Sequence, residues 1–310
     1  MTTEGNGIYA ATITPFDESG RPDHEQLAAH LKQLARRGCH GALLCGTTGE
    51  GPSLSVEERI ALFAAAAKAK TGLRLLAGTG AASLEDTIAL TRAAFEMGLS
   101  GVVIIPPFFY PAPAPEGLFA FYAEVIRRAV PEGGAVLLYH NPPVGAIPLS
   151  LELIARLRDA FPERVIGIKD SGGDRGHTRR LCDAFPDFRV FVGDDRLLAP
   201  ALEAGGAGAI TGLANLFPDL LRDVYDRYQR RETLEEAQKR LSEARLQLEG
   251  LPRIAAIKML LKAGRIIQSA RVRPPLSPLT ESEYAILRDR FHLEVRATSG
   301  VDLSELSGPA

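Results

Sequence analysis

Lys169 differs from the other lysines of this chain in the company it keeps. It closes the run Val165-Ile166-Gly167-Ile168-Lys169-Asp170-Ser171, whereas Lys32, Lys68, Lys70, Lys239, Lys258 and Lys262 fall in stretches with helical patterning. Alternation with period two puts Val165, Gly167 and Lys169 on one face of a strand, and Ile166 and Ile168 on the other. An amine with an ordinary pKa of about 10.4 is a poor nucleophile, but a site that excludes water disfavours the ammonium and frees the amine to attack a ketone. A solvated strand-end lysine, or an ion pair with Asp170, accounts for the same local sequence.

Three other strand ends carry reactive or ligand-holding groups. Leu137-Leu138-Tyr139-His140-Asn141-Pro142 ends in a tyrosine that can move protons while a carbinolamine becomes an imine, or that sits in a core with its hydroxyl on a carbonyl. His140 faces away from Tyr139 and reads as structural. In Gly46-Thr47-Thr48-Gly49-Glu50 the glycines let backbone N–H groups turn inward and two hydroxyls add donors, which suits a carboxylate or phosphate as well as a plain strand-to-helix turn. Gly205-Gly206-Ala207-Gly208-Ala209-Ile210-Thr211-Gly212 allows close approach of a ligand or of another backbone.

Competing chemistries lack their residues. His24, His30, His40, His140, His177 and His292 are scattered without an H-E-x-x-H or similar grouping, so no metal is expected. Neither a G-x-S-x-G elbow nor a G-x-x-x-x-G-K-[ST] loop occurs.

The elements that must position these groups alternate along the chain. Short β-rich runs at residues 8–14, 41–45, 73–77, 101–105, 135–139, 165–169, 189–192 and 207–211 are separated by amphipathic stretches. Asp23, Ser55, Ser83, Ser150 and Asp174 are placed to start helices, Gly38 and Gly98 to end them, and Pro218 opens a further helix. Five-residue strands, apolar on both faces and each followed by a helix, predict a closed (β/α)8 TIM barrel, with a doubly wound open sheet as the alternative. Past residue 230 strand signals stop. Helical stretches at 233–249, 252–263 and 280–291 predict a C-terminal helical extension, and the proline-rich 271–278 must be extended between them. The organisation expected is a catalytic barrel over 1–230, a helical region over 231–296 and a flexible tail over 297–310.

With 310 residues, 45% hydrophobic content and a net charge of −2, the chain can bury a barrel-sized core and has no basic, aromatic-interleaved surface for nucleic acid. The N-terminal stretch has no signal-peptide pattern and no apolar run approaches the roughly 20 residues of a membrane span, so neither membrane nor nucleic acid is an expected partner. Cys39, Cys45 and Cys182 lack metal spacing and sit among apolar neighbours, as thiols in a reducing cytoplasm would.

Taken in order, Gly46-Thr47-Thr48-Gly49-Glu50, Tyr139, the Lys169 strand and Gly206-Ala207-Gly208-Ala209-Ile210 resemble the dihydrodipicolinate synthase / N-acetylneuraminate lyase family over residues 7–293. The chain is also similar to that family at 107–118, at Gly193-Asp194-Asp195 and at 272–276. The resemblance implies a class I pyruvate aldolase fold, usually a homotetramer, without a cofactor. It implies Lys169 as the Schiff-base lysine, Tyr139 as proton shuttle, Thr47 and Thr48 as holders of the 2-oxo acid carboxylate, and Gly193 and Ile210 as pocket-lining backbone. It implies too that Phe109 or Tyr110 reaches a neighbouring subunit. Two positions depart from the pattern. Val144 stands where the synthases carry an arginine that grips the second substrate's carboxylate, and Asp194-Asp195-Arg196 only half matches the acidic pair of the sialic acid lyases, leaving Asp195 to accept from a polyol. The expected activity is therefore a lyase, aldolase or dehydratase on a 2-oxo-3-deoxy sugar acid with an aldehyde partner. The synthase reaction on aspartate semialdehyde and a non-catalytic 2-oxo acid binder are the alternatives.

Overall fold

Strands form where β-branched and leucine-rich runs are bounded by glycine and capped helices. In the computed structural model, which describes residues 5–293, they are β1 (Gly7–Ala11), β2 (Gly41–Leu44), β3 (Arg74–Gly78), β4 (Gly101–Ile104), β5 (Val136–His140), β6 (Val165–Asp170), β7 (Arg189–Val192) and β8 (Gly208–Thr211). Each pairs in parallel with its sequence neighbour, and β8 returns to β1 in the register Gly7↔Gly208 to Ala10↔Thr211, closing a barrel. Closure excludes the open sheet that the repeat pattern had left standing. Strand β1 stops short of the expected residue 14. Beyond Thr12 the chain leaves the ladder, as the Ile13 N–H turns to Asn215 Oδ1 (3.2 Å) and the Thr14 hydroxyl donates to the Gly49 carbonyl (2.6 Å).

Around the barrel run α1 (His24–Arg36), α2 (Val56–Lys68), α3 (Leu84–Glu96), α4 (Pro115–Ala129), the single turn α5 (Pro142–Gly145), α6 (Leu151–Ala160), α7 (Arg175–Ala184), α8 (Leu198–Glu203) and α9 (Pro218–Gln229). The side chains of Asp23, Ser55, Ser83, Ser150 and Asp174 each accept from a first-turn N–H, and Ser55 with Glu58 completes a capping box. Three helices follow: α10 (Glu235–Leu246), α11 (Arg253–Ala263) and α12 (Glu281–Arg290). The segment before α12 is extended only in part, because Leu276 donates to the Arg273 carbonyl (3.0 Å) and closes a turn. The expected tail over 297–310 lies outside the described residues.

Apolar side chains form two shells. An outer one packs strand against helix, and an inner one fills the barrel with Tyr9, Leu43, Leu76, Val103, Leu137 and Phe191 among others. Strict alternation along β6 fails at one point. Val136 pairs with Val165 while Leu137 pairs with Gly167, so Ile166 is the extra residue of a bulge. Val165 therefore packs outward and Ile166 inward, the reverse of the period-two reading, while Ile168 stays outside. Close backbone packing explains part of the glycine run before and in β8: Gly208 has φ +137°, and a Cβ there would lie 2.1 Å from the Gly7 carbonyl oxygen.

Candidate active site

The carboxyl ends of β5 and β6 bring the first two reactive groups together. Register pairs Tyr139 with Lys169, and Lys169 in turn with Phe191 on β7. Adjacent inward-facing side chains on neighbouring strands then meet, and Lys169 Nζ lies 4.4 Å from the centroid of the Tyr139 ring. Lys169 is only 4% exposed. Asp170, on the opposite face, gives it no ion pair, because that carboxylate accepts from His177 Nδ1 (3.1 Å), the Thr178 hydroxyl (2.8 Å) and the Gly172 N–H (3.1 Å).

Tyr139 is wired into the loop after β2. Its hydroxyl accepts from Asn141 Nδ2 at 2.8 Å and shares a 3.3 Å hydrogen bond with Thr47 Oγ1. Burial raises the phenol pKa, but the Lys169 charge and hydrogen bonds from Thr47, Ser171 and Lys169 outweigh it, and the phenol lies below its ordinary value. Among the described residues no backbone carbonyl accepts from the N–H of Thr47 or Thr48, so the turn can offer both to an anion. Cys45 and Glu50, at φ 52° and 55°, turn the chain at either end of this loop in the left-handed region that non-glycine residues seldom occupy.

One cavity of about 170 Å³ joins these groups. Thr47, Thr48, Tyr139, Lys169, Gly193, Asp195 and Ile210, the residues expected to be catalytic or to hold substrate, all border this space, whereas Phe109, Tyr110 and His140 do not. The junction of α10 and α11 closes the outer end with Arg245, Leu248, Arg253 and Ile254. A neighbouring space of about 240 Å³ shares Thr47, Tyr139 and Val144 with it but is walled by Leu43, Val103, Ile105 and Phe108. Its guanidinium, Arg59, is engaged with the carbonyls of Gly78 and Gly80.

Asp195 is 3% exposed, and burial pushes its carboxyl up to about 6, although Thr211 beside it acts the other way. Neither Asp195 Oδ1 nor the Thr211 hydroxyl has a partner at hydrogen-bond geometry among the described residues. In the window from the unfolded value of about 3.9 up to about 6, the native carboxyl binds a proton that the unfolded one has lost. Stability from this group is therefore present below the window and declines as pH rises through it. Relative to Asp195→Asn, the wild type is expected to lose about 2–3 kcal/mol between about pH 4 and about pH 7, read as the difference in urea unfolding free energy at the two pH values. A difference that does not move with pH would overturn the assignment.

Some of the surrounding groups escaped the sequence reading. Asn141 and Ser171 each lie two residues beyond a residue already singled out, so strand alternation was the signal that could have found them. The histidines are less scattered than their spacing suggests: the rings of His140 and His177 stack at 4.2 Å, and their donor atoms lie with those of Asp170 within 4.8 Å of one another. Nearly parallel rings, 19° apart, aim their lone pairs side by side rather than at one ion, and His140 Nδ1 already accepts from the Leu149 N–H (3.1 Å). The cluster braces β6 from behind Lys169. A second buried lysine was also missed. Lys258 in α11 is fully buried in ion-pair contact with Glu50, donates to the Arg271 carbonyl (2.8 Å) and sits 4.1 Å from the Phe16 ring centroid.

Comparison with known proteins places the arrangement in context. Residues 4–292 match the model of the dihydrodipicolinate synthetase family. An uncharacterized DapA-like lyase of Chloroflexus aurantiacus is 39% identical over 297 residues, which cover 96% of this chain and 99% of that one. The 4-hydroxy-tetrahydrodipicolinate synthase of Bacillus subtilis is 33% identical over 281 residues, 89% of this chain and 94% of that protein. Among solved structures, YagE, a prophage protein from E. coli K12 belonging to the dihydrodipicolinic acid synthase family and solved in complex with pyruvate, superposes with a TM-score of 0.87 at 26% identity, covering 93% of this chain and 98% of its own.

Proposed function

Because the chain belongs to the dihydrodipicolinate synthetase family, we propose that it is a lyase acting on pyruvate or a related 2-oxo acid through an imine on Lys169, with a 2-oxo-3-deoxy sugar acid as the substrate class. The observation that carries this reading is a buried amine set against a phenol and two hydroxyls in one cavity. Thr47 and Thr48 hold the carboxylate with hydroxyl and backbone donors, which fixes the ketone carbon beside Lys169 Nζ. The neutral amine adds to that carbon, and the carbinolamine hydroxyl leaves as water with a proton delivered by Tyr139. In the resulting iminium the C3–C4 bond can break, its electron pair entering the C2–C3 enamine while the C4 hydroxyl surrenders its proton to the Tyr139 oxygen and C4 departs as an aldehyde. Protonation at C3 and hydrolysis then release pyruvate and restore the lysine. Run backwards, the same steps form the bond.

Tyr139→Phe keeps the ring against Lys169 but removes the oxygen that Asn141 and Thr47 address. Turnover is expected to fall by about 100-fold or more, with pyruvate affinity changed far less, as measured by steady-state kinetics of aldehyde release. A variant within severalfold of wild type would remove the tyrosine from the mechanism.

Condensation with aspartate semialdehyde is the less supported reaction. Val144 is 57% exposed at the rim and offers no guanidinium to a second carboxylate. We infer a homo-oligomer, either a tetramer or a dimer, on the ground that Phe109 and Tyr110, 73% and 69% exposed, form an edge-to-face pair beside the apolar space. A cytoplasmic setting fits three free, buried cysteines whose thiols burial pushes up to about 12, 12 and 11. No helix among the described residues is long and apolar enough to cross a membrane.

A further inference from the structure

The outer wall of the Lys169 cavity carries two guanidinium groups that form no ion pair among the described residues. Arg245 lies near the end of α10 and Arg253 opens α11, so both come from the C-terminal helices rather than from the barrel. Among the described residues neither makes a side-chain hydrogen bond or an ion pair. Arg36, Arg175 and Arg231 share that condition, while Arg156, Arg179, Arg222, Arg227 and Arg273 engage carboxylates; what sets Arg245 and Arg253 apart is that both line the Lys169 cavity. The two carboxylates that feel their charges, Asp194 and Asp195, are not ion-paired with them. Asp194 is gripped by Arg196 through two hydrogen bonds of 2.7 and 3.0 Å, and Asp195, whose carboxyl burial pushes up to about 6, makes no ion pair with either arginine among the described residues. The charges of both arginines still reach Asp195, acting against its burial, which places their fields within the cavity. The N-terminus of α11 adds its partial positive charge at the same point.

We propose that Arg245 and Arg253 form an anion subsite, so that the substrate is a 2-oxo acid whose far end bears a second anionic group, a carboxylate or a phosphate. The inference rests on the Lys169 reading for its orientation: the first carboxylate lies on Thr47 and Thr48, the ketone at Lys169, and the chain runs outward past Gly193 and Asp195 to the arginines. The apolar space on the other side does not serve the same end, since its guanidinium is engaged with backbone carbonyls. Val144 fits this arrangement. The anion clamp absent from that position is supplied instead from the opposite wall of the cavity.

The test compares two ligands that differ only in the terminal group, 2-oxoadipate and 2-oxohexanoate, by calorimetric titration of the full chain. The diacid is expected to bind at least about tenfold more tightly, and Arg245→Gln with Arg253→Gln to bring the ratio to about one, each single change losing part of it. Among the described residues both side chains are without hydrogen-bond or ion-pair partners, so the variants are expected to keep the wild-type melting temperature, which is checked first. In parallel, pyruvate is trapped with borohydride. Trapping on Lys169 with no preference for the diacid, or a preference that survives both substitutions, overturns the anion subsite and leaves the imine standing. A preference that disappears in the variants without any trapping supports the subsite and removes the imine. Aldol addition of pyruvate to erythrose 4-phosphate and to erythrose separates the two anions: a phosphate preference abolished by the substitutions identifies phosphate, and its absence alongside the diacid preference identifies carboxylate.

Discussion

Lys169→Ala is expected to abolish the adduct that borohydride traps with pyruvate and to lower turnover by about 1,000-fold or more, because no other group in the cavity can make a covalent electron sink. The fold is expected to survive. The side chain is 4% exposed and has no carboxylate partner among the described residues, so its removal strands no opposing charge there. The decisive control is the other buried amine. Desolvation, countered in part by Glu50, pulls Lys258 down to about 8, and burial by itself does not distinguish the two lysines. Access does: Lys258 is fully buried against Glu50 and Phe16, whereas Lys169 borders an open cavity. Peptide mapping of the trapped protein should therefore find the added mass only on the peptide containing residue 169. Label on Lys258, or on neither lysine, would sink the mechanism.

Lys258→Met is expected to cost about 3–5 kcal/mol of stability, measured as the shift in urea unfolding free energy, because it leaves the Glu50 carboxylate buried without its counter-charge. The backbone N–H of Arg273 still donates to Glu50 Oε2 at 2.8 Å, and one hydrogen bond does not replace an ammonium. Glu50 ends the Gly46-Thr47-Thr48-Gly49 turn in a left-handed conformation, so the loss should also reach the site. Pyruvate affinity is expected to weaken severalfold as the turn loosens, while Lys169 and Tyr139 stay in register on β5 and β6. Pairing Lys258→Met with Glu50→Gln should recover part of the stability, since the stranded charge goes with it. If Lys258→Met unfolds like the wild type, the ion pair does not anchor the turn.

Much of the fold could be read from the chain because it is written in local terms. Strand runs, glycine punctuation and the caps at Asp23, Ser55, Ser83, Ser150 and Asp174 are properties of a few consecutive residues, and these elements formed close to where they were expected. The same holds for Lys169 and Tyr139: strand ends, period two and the rule that barrel sites gather at carboxyl ends were enough to single them out. Thr47 and Thr48 came with them, Gly193, Asp195 and Ile210 followed only from the resemblance to a known family, and the convergence of all five on one cavity needed the closed barrel.

What the sequence by itself determined was the order and type of the elements and the reactive residues at their ends, because backbone propensity and side-chain alternation act over short spans. Tertiary structure alone decided the bulge at Ile166, which depends on how β6 meets β5. It also decided the stacking of His140 on His177 behind Lys169, the burial of Lys258 against Glu50, and the position of Arg245 and Arg253 over the cavity. Each of these joins separate elements of the chain, and the energies involved, from desolvation, ion pairing and close packing, exist only once those elements touch.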